Sequence, residues 1–152
     1  MSMDLMKKDL EEFNILLDEQ QINQFNKYYE LLKEWNSFMN LTTIIEFDEV
    51  LKKHFVDSLS LVKVLPDLLQ KDYSLIDIGT GAGFPGIPLK IVFSNLKITL
   101  LDSLNKRVRF LNEVIDQLGL ENITVIHGRA EDFAKPDKLR ESFEICVSRA
   151  VA

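Results

Sequence analysis

The chain has 152 residues, 46% hydrophobic and 28% charged, the composition of an ordinary globular domain that buries a core of its own. Its 18 Lys and Arg against 24 Asp and Glu give a net charge of −6, which opposes non-specific adhesion to nucleic acid, where phosphates must be neutralised. No apolar run approaches the ~20 residues of a membrane span, and one cysteine, Cys146, excludes an internal disulfide and suits a reducing cytoplasm.

Residues 4–17 place Leu5, Phe13, Leu16 and Leu17 at helical spacing between charges, which predicts a first helix. Residues 21–39 repeat the pattern more strongly, with Ile22, Phe25, Tyr28, Tyr29, Leu32, Trp35, Phe38 and Met39 forming a broad stripe for packing on a core. The run Asn40-Leu41-Thr42-Thr43 breaks that helix, and Asp48 is a candidate cap for the next. This third helix is expected over about 49–65, burying Val50, Leu51, Phe55, Leu59, Val62 and Leu65, with Pro66 near its end. Residues 1–70 thus read as a helical segment packed on whatever follows.

From Tyr73 the elements alternate. Strands are expected at 74–78, 97–102, 123–127 and 144–148, with helices from the glycine-rich loop to about 93, over 105–118, and weakly near 135–141. The helix over 105–118 turns Val108, Leu111, Val114, Ile115 and Leu118 inward, and Gly119 ends it. Alternating strands and helices predict an α/β domain over 71–152 with a parallel, doubly wound sheet. Cys146, inside EICVS, is expected to be a small buried residue. His54 and His127 stand too far apart in sequence to suggest a metal site, so no metal is expected. A fourth strand followed only by SRAVA leaves an apolar edge without a covering helix, so the chain is expected to be part of a longer protein.

The stretch Leu75 to Pro88, LIDIGTGAGFPGIP, carries the chemistry. Its apolar start suits a buried parallel strand, and four of the six glycines, Gly79, Gly81, Gly83 and Gly86, follow within eight residues. A tight turn would explain the cluster, but Asp77 precedes it and Asp102 ends the next strand, where a carboxylate accepts bonds from ribose hydroxyls. Asp77 is placed either to attract a cationic ligand or to anchor the loop's own amides. A dinucleotide fingerprint would need glycine or alanine where Phe84 stands, which counts against a dehydrogenase-like module. The pattern present, acidic-x-Gly-x-Gly-x-Gly, resembles the first motif of the class I S-adenosylmethionine-dependent methyltransferases, a Rossmann-like fold.

Read whole, the runs NLTTI, HFVDSLSL, DIGTGAGFPGIPLKI, LLDSLNKRVRFL, GRAED and VSRAVA resemble one family, the bacterial small-subunit ribosomal RNA guanine-N7 methyltransferases, also called glucose-inhibited division protein B. The resemblance implies methyl transfer from S-adenosylmethionine to N7 of a guanine in 16S ribosomal RNA. It puts the cofactor against Gly79, Phe84, Ala130, Glu131 and Arg149, with Asp102 and Ser103 at the ribose, while Asp77, Gly81 and Gly83 join the cofactor site through the resemblance of the first motif. Phe84 reads equally as core packing. N7 already carries a lone pair and no proton, so the transfer requires no general base, and no nucleophile–base pair stands out.

Lys106, Arg107, Arg109 and Arg129 are the candidates for RNA contact, with a solvated charge run as the alternative. Arg107→Glu is accordingly expected to weaken RNA binding and spare cofactor affinity. Asn40 is a candidate for the target guanine, or simply a helix terminator. His54 and Asp57 share a helix face and read as structural. The expected partner is 16S ribosomal RNA or the small subunit, with no membrane, and the expected state is a cytoplasmic monomer. A methyltransferase acting on a small molecule or another RNA is the competing reading.

Overall fold

The computed structural model describes residues 3–133 and 143–148. Four parallel strands, β1 (Ser74–Ile78), β2 (Lys97–Asp102), β3 (Ile123–His127) and β4 (Ile145–Val147), make one sheet in the order β3-β2-β1-β4. Leu75, Ile76 and Asp77 of β1 and the five residues Ile98 to Asp102 of β2 are buried. Such continuous runs belong to strands covered on both faces. Leu75 pairs with Ile98 and Asp77 with Leu100, while Asp102 pairs with His127. β1 therefore lies between β2 and β4, at the point where the strand order reverses. A doubly wound sheet opens a crevice there, outside the carboxyl ends of its strands.

Three helices return the chain between or after these strands: α5 (Gly86–Val92), α6 (Asn105–Leu118) and α7 (Ala130–Phe133). α6 buries Phe110, Leu111, Val114 and Leu118 at helical spacing, and Gly119 closes it with φ 65°. Side chains satisfy the carbonyls around the end of the short α5. Gln21 Nε2 donates to Ile91 O, and Lys90 Nζ to Ser94 O at 2.9 Å. Burial pushes the Lys90 ammonium below the usual lysine range.

The N-terminal part differs from expectation in five places. α1 (Asp4–Glu11) ends six residues early, leaving Leu16 92% exposed. Asn14 turns the chain with φ 57°, and Asp18 and Gln21 form a reciprocal capping box that starts α2 (Glu19–Met39) afresh. Phe38, expected in the core stripe, stands on the last turn of α2 and is exposed, while its neighbour Met39 packs on the core. The third helix changes pitch along its length: α3 (Phe47–Glu49), a π-helical stretch Val50–Val56, α4 (Asp57–Leu59) and a 3₁₀ turn Ser60–Lys63. Glu46, rather than Asp48, caps it, accepting from the amides of Asp48 and Glu49. Within the π-helical stretch, the adjacent His54 and Phe55 are both buried. Val62 and Leu65 are only half-buried.

Helices and sheet share one core. Phe55 stacks on Tyr28 with centroids 5.3 Å apart, and Phe25 lies 4.9 Å from Phe55. Cys146 corrects an expectation: it is exposed. β4 is the outermost of the described strands on its side, Ile145 and Val147 turn to the half-buried face, and Cys146 alternates to the other. The weak helix expected near 135–141 lies outside the described residues.

Candidate functional site

The four glycines of the loop after β1 divide into two pairs. Gly79 and Gly81 take φ of 67° and 62°, and a Cβ on either would meet no atom within 4 Å. Their backbone passes an open space without side chains in the way. Gly83 and Gly86 are needed for packing instead. A Cβ on Gly83 would stand 2.5 Å from the Tyr28 hydroxyl oxygen. On Gly86 it would stand 2.3 Å from Leu100 Cδ2 and 3.0 Å from Asp77 Oδ2. Gly86→Ala is therefore expected to destabilise the fold by about 1–3 kcal/mol through overpacking of α5 on β2. Urea unfolding reads that loss, and an unchanged midpoint would contradict it.

Asp77 lies beneath this loop, fully buried. Its Oδ2 accepts from the Thr80 hydroxyl at 2.7 Å and the Gly86 amide at 2.9 Å. Of the two roles its position allowed, the geometry supplies the loop anchor. Phe84 also turns inward: it is 6% exposed and stacks on His54, centroids 4.2 Å apart and planes within 6°. His54 in turn pairs with the Thr42 hydroxyl at 3.2 Å. His54 thus links the segment after α2 to the glycine loop, in keeping with a structural role.

Asp102 is the hub of the site. It is 2% exposed, and its two oxygens serve different elements. Oδ2 accepts from the Gly81 amide at 2.8 Å, and Oδ1 from the Leu104 amide at 3.0 Å just ahead of α6. Arg107 approaches the same Oδ2, with Nη1 3.6 Å away. The strand exits are tied to each other as well. Gly79 donates to Leu101 O at 2.8 Å and Gly128 to Asp102 O at 2.9 Å. His127 Nε2 pairs with Ser103 O at 3.0 Å. Between these exits lies a cavity of about 390 Å³, lined by Gly79, Asp102, Ser103, Ala130 and Glu131 among others. Six sequence candidates thus meet in one place, Arg129, expected to contact RNA, among them. Ile78, Leu101 and Gly128 also line it and were not singled out. Their signal was position alone, each standing at or beside the carboxyl end of a strand.

The basic candidates separate. Arg107 Nη1 stands 3.6 Å from Asp102 Oδ2, and its Nε is buried without a hydrogen-bond partner. Lys106 Nζ donates to Met39 O at 3.0 Å, tying the carbonyl end of α2 to the start of α6. Arg109 is exposed, and Arg129 is exposed beside Glu131, 3.9 Å away. The geometry revises the expected separation for Arg107. Glutamate there would face the Asp102 carboxylate, so Arg107→Glu is expected to weaken cofactor binding too, by roughly fivefold for about 1 kcal/mol. Calorimetry checks this, and an unchanged cofactor affinity would contradict it. Arg109→Glu is the cleaner probe of RNA contact. Asn40 sits at the C-cap of α2 with φ 51°, the helix-ending geometry its residue type favours. Arg149 lies outside the described residues.

Among the described residues, no group of three or more His, Cys, Asp and Glu could hold a metal ion, and no helix is long and apolar enough to cross a membrane.

Comparison with known proteins agrees with this geometry. A family model described as rRNA small subunit methyltransferase G matches residues 21–152. Two relatives bear the name ribosomal RNA small subunit methyltransferase G. That of Lachnoclostridium phytofermentans is 58% identical over 136 residues, covering 90% of this chain and 55% of that protein. That of Clostridium beijerinckii is 54% identical over 149 residues, covering 98% and 62%. The chain therefore spans less than two thirds of the length of these relatives. Among solved structures, a Plasmodium falciparum protein described as a protein-L-isoaspartate O-methyltransferase, in complex with S-adenosyl-L-homocysteine, superposes with a TM-score of 0.58. It is 17% identical, and the match covers 100% of this chain and 75% of that one. The likeness establishes the fold alone, a Rossmann-like α/β sheet.

Proposed function

Because the chain belongs to the rRNA small subunit methyltransferase G family, we propose that this protein transfers a methyl group from S-adenosylmethionine to N7 of a guanine in 16S ribosomal RNA. The observation that carries the reading is the cavity at the sheet's carboxyl edge, lined by the open backbone of Gly79 and by the Asp102 carboxylate.

S-adenosylmethionine supplies an electrophilic methyl group. Gly79, Gly81 and Gly83 shape the loop along which it lies. Asp102, with Ser103 beside it, accepts the ribose hydroxyls, and Ala130 and Glu131 are assigned to the base. Asp77 and Phe84 act as positioning residues, one tying the loop from below and the other seating it on His54. Arg149 is assigned a cofactor contact as well, on the family resemblance. Residues 71–152 hold the cofactor in this reading, and residues 1–70 support the loop from the helical side.

Guanine N7 has a lone pair in place and no proton to lose, so no side chain needs to act as a base. The protein's contribution is placement of the two reactants. Asn40, next to the Met39 carbonyl that Lys106 holds, is proposed to meet the target guanine. Lys106, Arg107, Arg109 and Arg129 are proposed to face phosphates. The substrate places the reaction in the cytoplasm, on free 16S ribosomal RNA or the assembled small subunit, with the protein as a monomer.

The test is methyl transfer by the intact protein to ribosomal RNA from a strain lacking it, with the modified base mapped. One N7-methylguanine in the 16S RNA is expected. Transfer to small molecules alone, with no label in RNA, would favour the small-molecule reading.

A further inference from the structure

The end of α2 presents an aromatic ring to solvent, beside the basic start of α6. Phe38 is 63% exposed, and next to the basic stretch Leu104 is 41% exposed. The ring is not adrift. Phe38 lies 5.5 Å from Trp35, centroid to centroid, and Trp35 lies 5.7 Å from Phe110 of α6. Lys106, bonded to Met39 O, fixes the same junction from the polar side.

The two chain stretches that meet here carry only positive charge, although Glu34 precedes the first and Asp102, which pairs with Arg107, precedes the second. Residues 35–43 carry none, and residues 103–112 carry Lys106, Arg107 and Arg109 with no Asp or Glu, a local balance of 3 − 0 = +3 in a chain of net charge −6. An exposed ring beside Lys106 and Arg109 is complementary to a nucleotide, whose base offers a face for stacking and whose phosphate offers negative charge. The junction also adjoins the proposed cofactor site, because Arg107 reaches Asp102.

We propose that Phe38 is a base-stacking residue, receiving an unpaired nucleotide that neighbours the target guanine while Lys106 and Arg109 meet its phosphates. This rests on the function proposed above and adds to it a specific strand contact. It requires the RNA to be unstacked at the site, so a continuous duplex would be a poor substrate. Phe38 stands outside the cofactor cavity, so its loss leaves cofactor binding alone.

The experiment compares wild type with Phe38→Ala, Phe38→Leu and Phe38→Tyr in the intact protein. RNA affinity is measured by direct titration with 16S ribosomal RNA, and methyl transfer, cofactor affinity and thermal unfolding are followed in parallel. Loss of one base–aromatic stack is expected to weaken RNA binding about 5- to 150-fold in the alanine and leucine variants. Tyrosine, which keeps the ring, is expected to bind like wild type, and cofactor affinity is expected to stay constant. Equal RNA binding by leucine and phenylalanine would overturn the proposal, since apolar contact alone would then suffice. So would a lowered unfolding temperature or altered oligomeric state with RNA affinity intact, which would assign this face to other parts of the protein or to a second copy. A wild type that methylates ribosomal RNA while every variant matches it sinks only the stacking role. A wild type that neither binds nor methylates it removes both.

Discussion

Gly79→Ala is expected to leave the protein folded and abolish measurable uptake of S-adenosylmethionine. Holding alanine at the φ of 67° that Gly79 adopts costs roughly 1–2 kcal/mol. No clash adds to it, because the new methyl meets nothing within 4 Å. That same openness is the reason for the binding defect. Gly79 lines the cavity that Asp102, Ala130 and Glu131 also line, and a methyl there stands where the cofactor must approach the backbone. Loss of close approach at the centre of a small-ligand site is expected to cost at least about 3 kcal/mol, or more than 100-fold in Kd. Calorimetry beside thermal unfolding separates the two effects. Gly86→Ala supplies the mirror image, because its Cβ would strike Leu100 inside the fold and leave the cavity untouched.

Asp102→Ala carries the second large effect. The carboxylate holds the Gly81 and Leu104 amides, so its removal frees both the glycine loop and the start of α6. Each lost acceptor costs about 1–3 kcal/mol where its donor is shielded from water. The ligand loses more. Two hydrogen bonds from ribose hydroxyls to an ionised group are worth roughly 1.5–3 kcal/mol each, so the expected weakening of cofactor binding exceeds 100-fold. Asp102→Asn keeps the shape and one carbonyl oxygen, and is expected to fall between alanine and wild type. Cofactor affinity within a few-fold of wild type for the alanine variant would remove Asp102 from the site.

The sheet was legible because its signals are local and strong. Buried parallel strands read as apolar runs, and the bounds of β1, β2, β3 and α6 coincide with those expected, down to Gly119 closing α6. The N-terminal helices were less so. Leu16 and Leu17 continue the apolar spacing of α1, but the capping box of Asp18 and Gln21 starts a new helix and strands Leu16 in solvent. The pitch change through Val50–Val56 has no local signature, since it depends on which side chains the neighbouring core receives. Cys146 was misjudged because a short apolar run does not say which of its alternating residues face the core, and here Ile145 and Val147 do.

At the site, residue type and position beside strand ends sufficed to bring Gly79, Asp102, Ser103, Ala130 and Glu131 together. Sequence gave no direction for long side chains. Arg107 could have pointed to solvent with Arg109, yet it folds back five residues to the Asp102 carboxylate. Phe84 likewise sits in the binding loop by sequence and in the aromatic core by structure.

Crystals of the protein grown with S-adenosylmethionine or its demethylated product test the central claim most directly. The ligand is predicted in the cavity between Gly79, Asp102 and Glu131, its ribose hydroxyls on the Asp102 carboxylate. Ligand density anywhere else, with Asp102 still holding only the Gly81 and Leu104 amides and Arg107, would contradict it.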